Sequence, residues 1–333
     1  MLDAFAEVLP FQNLLREALL KLLENVSSPL RDDTIVALAG KNKLLSSSPA
    51  TLPAGVWPLM TILIAQYLQP DADLQLAISA ALAVECLLCA FDIFDDIEDG
   101  DTSPTLQTLG PARALNVATT LLMLAQRSLC TPSAPQQSQR WRLWDTFIEN
   151  GLVACGGQHQ DLVAEQQPIE HFQAEDALMI AEAKSGSLMR LTCLLGALSV
   201  EASEEICNLV AEMGLALGMA HQLDNDAHDL STALQPSLST AEELLSPLPP
   251  VKSDLRRGKK TLPIILAAQQ KTLQKGSTAA DTRSRELLQE GIVATWSACL
   301  VYRTQVRSSL DLLIALLQRP LPSALQHLIG VAE

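Results

Sequence analysis

Basic residues are scarce in this 333-residue sequence, and its cysteines form no recognisable framework. Lys and Arg total 23 against 38 Asp and Glu, a formal net charge of −15 that disfavours binding to the phosphate backbone of a nucleic acid. Seven cysteines without framework spacing predict reduced thiols and a cytoplasmic protein rather than a disulfide scaffold. The opening residues, Met1 to Asp3, lack the basic region of a secretory signal, so none is expected.

An uninterrupted membrane-spanning run is also missing. The longest apolar stretch, Leu74 to Phe94, is long enough to cross a bilayer but includes Gln75, Glu85 and Asp92, and more acids follow it. We therefore interpret it as a buried core helix and expect no integral membrane protein. Apolar residues make up 48% of the sequence, which is enough for a large core.

Strand-type alternation is absent, whereas apolar residues recur every three or four positions along most of the chain. This periodicity predicts an all-α protein, and we expect one domain over residues 1–333. Helical patterns run over about residues 11–23, 57–69, 73–99, 109–129, 139–165, 173–199, 203–230, 260–273, 284–317 and 321–331. Stretches rich in helix breakers lie at 46–49, 131–135 and 232–253, and the last, too long for an ordinary connection, is predicted to be a mobile lid.

The most informative segment lies at the end of the long apolar helix. Its acids Asp92, Asp95, Asp96 and Asp99 are spaced at i, i+3, i+4 and i+7, so their carboxylates share one helix face. The helix dipole and mutual repulsion both disfavour acids at a helix C-terminus, so helix stability does not explain the cluster. Binding of a hard divalent cation such as Mg²⁺ does explain it, and a solvated acidic helix end is the alternative.

A second apolar helix ends in a similar way, with Asn225, Asp226 and Asp229. Two such ends facing each other across a cavity could hold several metal ions, which would neutralise an anionic diphosphate in this acidic protein. Lys184 and Lys259 fit the same chemistry, because an ammonium group is a compact point charge for phosphate oxygens. Taken alone, each lysine is more commonly a solvated surface residue.

Together these segments resemble motifs of the trans-isoprenyl diphosphate synthase (polyprenyl synthetase) family. The similarities are, in chain order, DDxxD at 95–99, GQxxD at 157–161, KTG at 184–186, FQxxDDxxD at 221–229 and GKxTLP at 258–263. In the fourth motif His221 replaces Phe, and Asn225 replaces the leading Asp. Most of these motifs are weak singly, but the ordered set is specific.

The resemblance implies an isoprenoid synthase-type helical bundle around a deep central pocket, three Mg²⁺ ions, a homodimer, and an allylic isoprenoid diphosphate of ten to twenty carbons as substrate. It assigns catalysis and metal binding to Asp95, Asp96, Asp99, Asn225, Asp226 and Asp229. The predicted substrate-binding residues are Lys184, Lys259, Gln158, Gln222, Phe91 and Asp92. Phe91, one helical turn before the first motif, is expected to shorten the pocket, and simple core packing is the alternative.

The departures from the family pattern bear on function. Family members that elongate a chain hold isopentenyl diphosphate with a GKxxRP segment and with an Arg pair after the first Asp motif. Here residues 54–58 contain neither Lys nor Arg, and the first base after Asp99 is Arg113. A second diphosphate would lie unpaired beside an acidic cluster, which is strongly unfavourable. We therefore expect that condensation with isopentenyl diphosphate is lost, while ionisation of the allylic diphosphate is retained.

Two functions remain for such a site. In a class I terpene synthase the carbocation is attacked by its own double bonds, and Asn225 favours this function because terpene synthases commonly use Asn in their second motif. In a ComQ-type prenyltransferase the acceptor is a peptide tryptophan, and residues 92–101, 114–116, 157–159 and 184–188 resemble those enzymes. A chain-elongating synthase and a non-catalytic partner subunit are further alternatives.

Overall fold

The computed structural model of the chain describes residues 2–47, 54–130, 137–234, 257–273 and 280–330. Throughout these ranges the backbone forms helices and connecting turns, without a strand, which confirms the predicted all-α class. The predicted lid over 232–253 lies outside the described residues, except for its first three residues, which end a helix. Residues 131–135 also lie outside them.

The helices follow one another as α1 (Leu2–Leu23), α2 (Leu30–Leu38), α3 (Val56–Leu68), α4 (Gln75–Asp99), α5 (Pro104–Leu129), α6 (Gln137–Glu165), α7 (Ala174–Ala181), α8 (Ser187–Leu198), α9 (Glu204–Leu234), α10 (Leu262–Leu273), α11 (Ala280–Leu317) and α12 (Ser323–Ile329). A 3₁₀ turn at Ile169–His171 precedes α7, and a π-helical turn at Glu182–Gly186 connects α7 to α8. The sequence patterns did not predict α2, because only Thr34, Ala37 and Leu38 of its 9 residues are buried.

The chain divides into two compact units. The first comprises Met1–Glu149, Arg190–Glu212 and Ser309–Glu333, and the second comprises Asn150–Met189 and Met213–Ser308. The boundaries fall inside α6, α8, α9 and α11 rather than in linkers. A single domain over residues 1–333 stays a prediction.

In the first unit, α4 packs most extensively against α5 and also contacts α1, α2 and α3. Its 25 residues are long and apolar enough to cross a membrane, but 78% of its most apolar window is buried inside the protein. This burial supports the interpretation of α4 as a core helix. Small side chains at Ala80, Ala81 and Ala83, all fully buried, allow neighbouring helices to approach closely.

In the second unit, an apolar core fixes one side of the last turns of α9. Its buried residues come from α7, α9, α10 and α11 and are Ala177, Ala220, Leu223, Leu262, Ile265 and Cys299. A further cluster extends this core toward the end of α9 with Ala227, Leu230, Ile264 and Ile292. Because these contacts fix the rotation of α9 about its axis, they also fix the directions of the polar side chains that lie between the buried residues of this helix.

Candidate functional site

The first acidic motif lies at the C-terminal end of α4, where the helix stops abruptly after Asp99. Gly100 adopts the left-handed conformation (φ 66°), and its N–H donates to the Ile97 carbonyl at 3.2 Å. The N–H of Asp101 donates to the Asp96 carbonyl at 2.9 Å. This Schellman arrangement satisfies two terminal carbonyls and fixes the turn that carries the acids.

The predicted metal ligands Asp95, Asp96 and Asp99 are all half-buried, whereas Ile93 is buried in the core. Carboxylate oxygens in such positions can bind a hard cation that still keeps some of its water, so this donor set fits Mg²⁺. Phe91, one turn before Asp95, is half-buried as well, which is compatible both with lining a pocket and with core packing.

Lys43, which the sequence patterns do not single out, lies against α4 just before this motif. Its ammonium group forms an ion pair with Asp92, and the two side chains are 16% and 64% exposed respectively. Two turns earlier on α4, the buried carboxylate of Glu85 accepts a hydrogen bond from the Leu44 N–H at 2.5 Å. Burial lowers the pKa of Lys43, but the negative charges around it, chiefly that of Asp92, outweigh this effect and raise the pKa above its ordinary value.

Two other bases of the first unit are also held by protein groups. Arg113, the first base after the acidic motif, donates two hydrogen bonds to the Asp33 carboxylate of α2. Arg16 of α1 donates to the carbonyls of Leu44 at 2.7 Å and Ser46 at 3.0 Å. Both guanidinium groups therefore hold neighbouring segments of this unit together.

The second acidic motif occupies α9 in the second unit, and its three side chains differ in exposure. Asp226 is 7% exposed, and its Oδ1 accepts a hydrogen bond from Gln222 Nε2 at 2.8 Å. Asp229 is half-buried and Asn225 is exposed. Asp229 follows Asn225 by four residues and Asp226 by three, so it lies on the same helix face as both, and Asp226 is the most buried of the three.

The two residues that depart from the family pattern, His221 and Asn225, are neighbours on α9. Asn225 Nδ2 lies 3.4 Å from His221 Nε2. Desolvation lowers the pKa of His221, and Arg303 acts in the same direction, while Asp224 opposes both. The neutral ring is therefore favoured, and a neutral ring can accept a hydrogen bond from the Asn225 amide.

The two predicted diphosphate-binding lysines meet at one carboxylate in the second unit. Lys184 Nζ lies 2.8 Å from Asp161 Oδ2, and Lys259 Nζ lies 3.9 Å from the same oxygen. The side chains of Lys184, Lys259 and Asp161 are only 21%, 11% and 11% exposed. Two ammonium groups that share one carboxylate in a partly desolvated place offer donors that suit phosphate oxygens.

Asp161 was not among the predicted site residues, although it ends the GQxxD segment of α6. The signal that identifies it is its spacing from Gln158, which is half-buried one helical turn earlier. The chemical reason appears only in the fold, where Asp161 holds Lys184 and Lys259 together.

Lys184 lies on the π-helical turn Glu182–Gly186. Such turns distort a helix locally and are frequent at functional sites. Gly157 of α6 packs directly against this turn, because a Cβ at this position would lie 2.7 Å from the backbone nitrogen of Lys184. Gly218 of α9 packs against it too, since its Cβ would lie 2.5 Å from the Ser185 carbonyl oxygen. Close packing against these two glycines therefore fixes the backbone that carries Lys184.

The basic residues around 257–260 divide into two roles. The Arg257 guanidinium pairs with the Glu165 carboxylate at 3.1 Å, and Lys260 Nζ donates to the Glu165 carbonyl at 3.4 Å. Because Glu165 is the last residue of α6, both cations lie at the negative end of a helix dipole. Lys259 pairs with Asp161 instead.

The two acidic motifs belong to different units, the first to the unit with Met1–Glu149 and the second to the unit with Met213–Ser308. Over the ranges that the structure describes, no group of three or more His, Cys, Asp or Glu side chains is gathered into a metal site. A cavity shared by both motifs, and the binding of three Mg²⁺ ions, therefore stay predictions.

Comparison with known proteins connects these motifs to one family. The family model for polyprenyl synthetase matches residues 55–294. Tryptophan prenyltransferase ComQ from Bacillus spizizenii is 31% identical over 154 residues, which cover 46% of this chain and 51% of that protein. Geranylfarnesyl diphosphate synthase from Aeropyrum pernix is 28% identical over 217 residues, which cover 63% of this chain and 64% of that protein. The chain thus matches less than two thirds of the length of either relative.

A solved structure resembles the chain over nearly its whole length. Polyprenyl synthase from Caulobacter crescentus CB15, complexed with calcium and isoprenyl diphosphate, aligns with a TM-score of 0.71 at 20% identity. The alignment covers 97% of this chain and 95% of that chain. At this identity the similarity establishes the fold alone, and it confirms the predicted isoprenoid synthase-type helical architecture.

Proposed function

Because the chain belongs to the polyprenyl synthetase family, we propose that it binds an allylic isoprenoid diphosphate of ten to twenty carbons with Mg²⁺ and ionises its C–O bond. The carbocation then reacts with a double bond of the same molecule, as in a class I terpene synthase, and is not condensed with isopentenyl diphosphate. The observation that carries this proposal is the meeting of Lys184 and Lys259 at Asp161.

The metal ions would be held by oxygen ligands at the ends of α4 and α9. These ligands are Asp95, Asp96, Asp99, Asn225, Asp226 and Asp229. Bound Mg²⁺ supplies positive charge that stabilises the departing pyrophosphate. The residues fit the ion, because all of them offer carboxylate or amide oxygens, the donors that Mg²⁺ prefers.

The lysine pair would bind the phosphate oxygens directly. Asp161 keeps the two ammonium groups close despite their mutual repulsion, and both groups attract a multiply charged diphosphate. Negative charge grows on the bridging oxygen as the C–O bond breaks, and cations that are already in place stabilise it without rearranging. Gln158 and Gln222 carry amide groups that could donate to the same anion.

The distribution of bases supports the loss of elongation. Residues 54–58 contain no Lys or Arg, and none occurs between Asp99 and Arg113. Arg113 itself donates to the Asp33 carboxylate. A second diphosphate near the end of α4 would therefore meet the acids of the first motif, and the lysine beside them, Lys43, is already paired with Asp92.

The decisive experiment incubates the purified chain with ten-, fifteen- and twenty-carbon allylic diphosphates and Mg²⁺, with and without isopentenyl diphosphate. We expect pyrophosphate release and a hydrocarbon or alcohol from one allylic substrate alone. Elongated diphosphates that appear only with isopentenyl diphosphate would contradict the proposal and identify a chain-elongating synthase. No pyrophosphate release from any substrate would indicate a non-catalytic subunit.

A second function, prenylation of a peptide tryptophan, is favoured by the similarity to ComQ. In this case the same carbocation would be captured by the indole of a separate peptide. The test adds short Trp-containing peptides to the incubation and follows the peptide mass. A gain of one prenyl group, with little hydrocarbon or alcohol formed in its absence, would favour this function over the terpene synthase.

We also propose a homodimer, as the family resemblance implies. Light scattering should then give twice the 35.9 kDa mass of the chain. A value of one chain mass over micromolar concentrations would contradict it.

A further inference from the structure

We infer that Lys43 is a positioning residue of the proposed metal site, which holds Asp92 away from the metal ions and adds positive charge beside the acids of the first motif. The inference rests on the proposed function, because it takes Asp95, Asp96 and Asp99 as metal ligands. It also replaces the predicted direct contact between Asp92 and substrate with an indirect role.

The loop that carries Lys43 is anchored on both sides of this residue. The Leu44 N–H donates to the buried carboxylate of Glu85 at 2.5 Å, and the Gly55 N–H donates to the Asn42 carbonyl at 3.0 Å. With its backbone held and its side chain 16% exposed, Lys43 is directed at its carboxylate partner on α4. A long surface lysine without such anchors would lose more conformational entropy in forming the same pair.

The position of Asp92 gives this ion pair a consequence for metal binding. Asp92 precedes Asp95 and Asp96 by three and four residues, so the carboxylates share one face of α4. A carboxylate paired with an ammonium group is a weaker metal ligand, because coordination must first displace the lysine. Lys43 also cancels one of the negative charges that would repel an incoming diphosphate. The pair should therefore weaken binding of the metal alone and strengthen binding of the diphosphate.

Lys43→Met tests this directly, because it should move two affinities in opposite directions. Mn²⁺ binding to the free protein, measured by the electron paramagnetic resonance of unbound Mn²⁺, should tighten about three- to tenfold. Pyrophosphate binding at saturating Mg²⁺, measured by calorimetry, should weaken by a similar factor of about three to ten. A lysine that merely supported the loop would weaken both affinities together with the melting temperature.

Three variants serve as controls. Lys41→Met removes the same charge from an exposed position of the same loop, and it should change neither affinity by more than about twofold. Lys43→Arg keeps the charge and should keep both affinities near those of the parent chain. In Lys43→Met/Asp92→Asn the released carboxylate is absent, so the gain in Mn²⁺ affinity should disappear.

The inference would be overturned if Lys43→Met weakened both affinities, changed neither, or behaved like Lys41→Met. It would also be overturned if the double variant kept the gain in Mn²⁺ affinity. These results differ from failure of the proposed function, which would appear as Mn²⁺ binding in the parent chain that Asp95→Ala leaves unchanged.

Discussion

The end of α4 and the π-helical turn that carries Lys184 each contain a lysine–aspartate ion pair. At the end of α4, one lysine, Lys43, meets the first of a row of acids. At the π-helical turn, two lysines meet a single acid, Asp161. In the proposed function the first region therefore binds cations and the second binds anions. If this proposal holds, the local grouping of charges, rather than the net charge of −15, decides what each region binds.

The largest expected effect comes from removing an acid of the first region. In Asp95→Ala, Mg²⁺-dependent pyrophosphate release should fall by about 10³-fold or more, because the leaving group loses the charge that stabilises it. The melting temperature should change little, since the substitution removes repulsion at a helix end. Asp71→Asn, an exposed acid just before the opposite end of α4, is the matched control. An Asp95→Ala enzyme with normal turnover would refute the metal assignment.

We expect the adjacent residues Lys259 and Lys260 to have different roles. Lys259→Met should weaken pyrophosphate binding by about tenfold, because one of two cations at Asp161 is lost. Lys260→Met should leave that affinity nearly unchanged and lower the free energy of unfolding by about 1–2 kcal/mol, because Lys260 stabilises the end of α6. Calorimetry and denaturant unfolding measure the two quantities. Equal losses of affinity in both variants would show that the division of roles is wrong.

The third prediction tests how Lys184 is positioned. Gly157→Ala should lower the free energy of unfolding by about 1–3 kcal/mol and weaken pyrophosphate binding, because the new Cβ would lie 2.7 Å from the backbone nitrogen of Lys184. Gly156→Ala adds the same methyl group at the preceding residue, where its Cβ would have no neighbouring atom within 4 Å. This variant should stabilise the protein by about 0.5–1 kcal/mol. Similar effects in the two variants, by thermal unfolding and calorimetry, would contradict the close contact.

The smallest expected effect concerns the buried acid beneath Lys43. Burial raises the pKa of Glu85, and Lys43 and the Leu44 N–H oppose that shift. The native state therefore keeps the Glu85 proton to higher pH than the unfolded state does. The contribution of this group to the free energy of unfolding is complete at low pH. It is lost as pH rises from 4.5, the ordinary pKa of Glu, through the pKa in the folded state. Glu85→Gln does not titrate, and its free energy of unfolding should fall less over this range. If the free energies of unfolding of the two proteins changed with pH in parallel, Glu85 would not be the cause of the loss of stability.

The acidic ends of the helices were predictable because their spacing within one helix is local. Asp95, Asp96 and Asp99 share a turn whatever surrounds them, and the end of α4 at Asp99 follows from the left-handed Gly100 beside it. Lys43 and Asp161 could not be recognised in the same way. Their partners are distant in sequence, since Asp92 lies 49 residues from Lys43 and Lys184 lies 23 residues from Asp161, and no local pattern encodes such pairs.

The order of apolar and acidic residues by itself determined the all-α class, the core helix and the family, since helix periodicity and short motifs depend only on near neighbours in the chain. Only the tertiary structure decided which bases meet which acids: Lys43 with Asp92, Lys184 and Lys259 with Asp161, and Lys260 with the end of α6. The physical reason is that the strength of a charge–charge interaction depends on distance in space and on burial, and packing sets both.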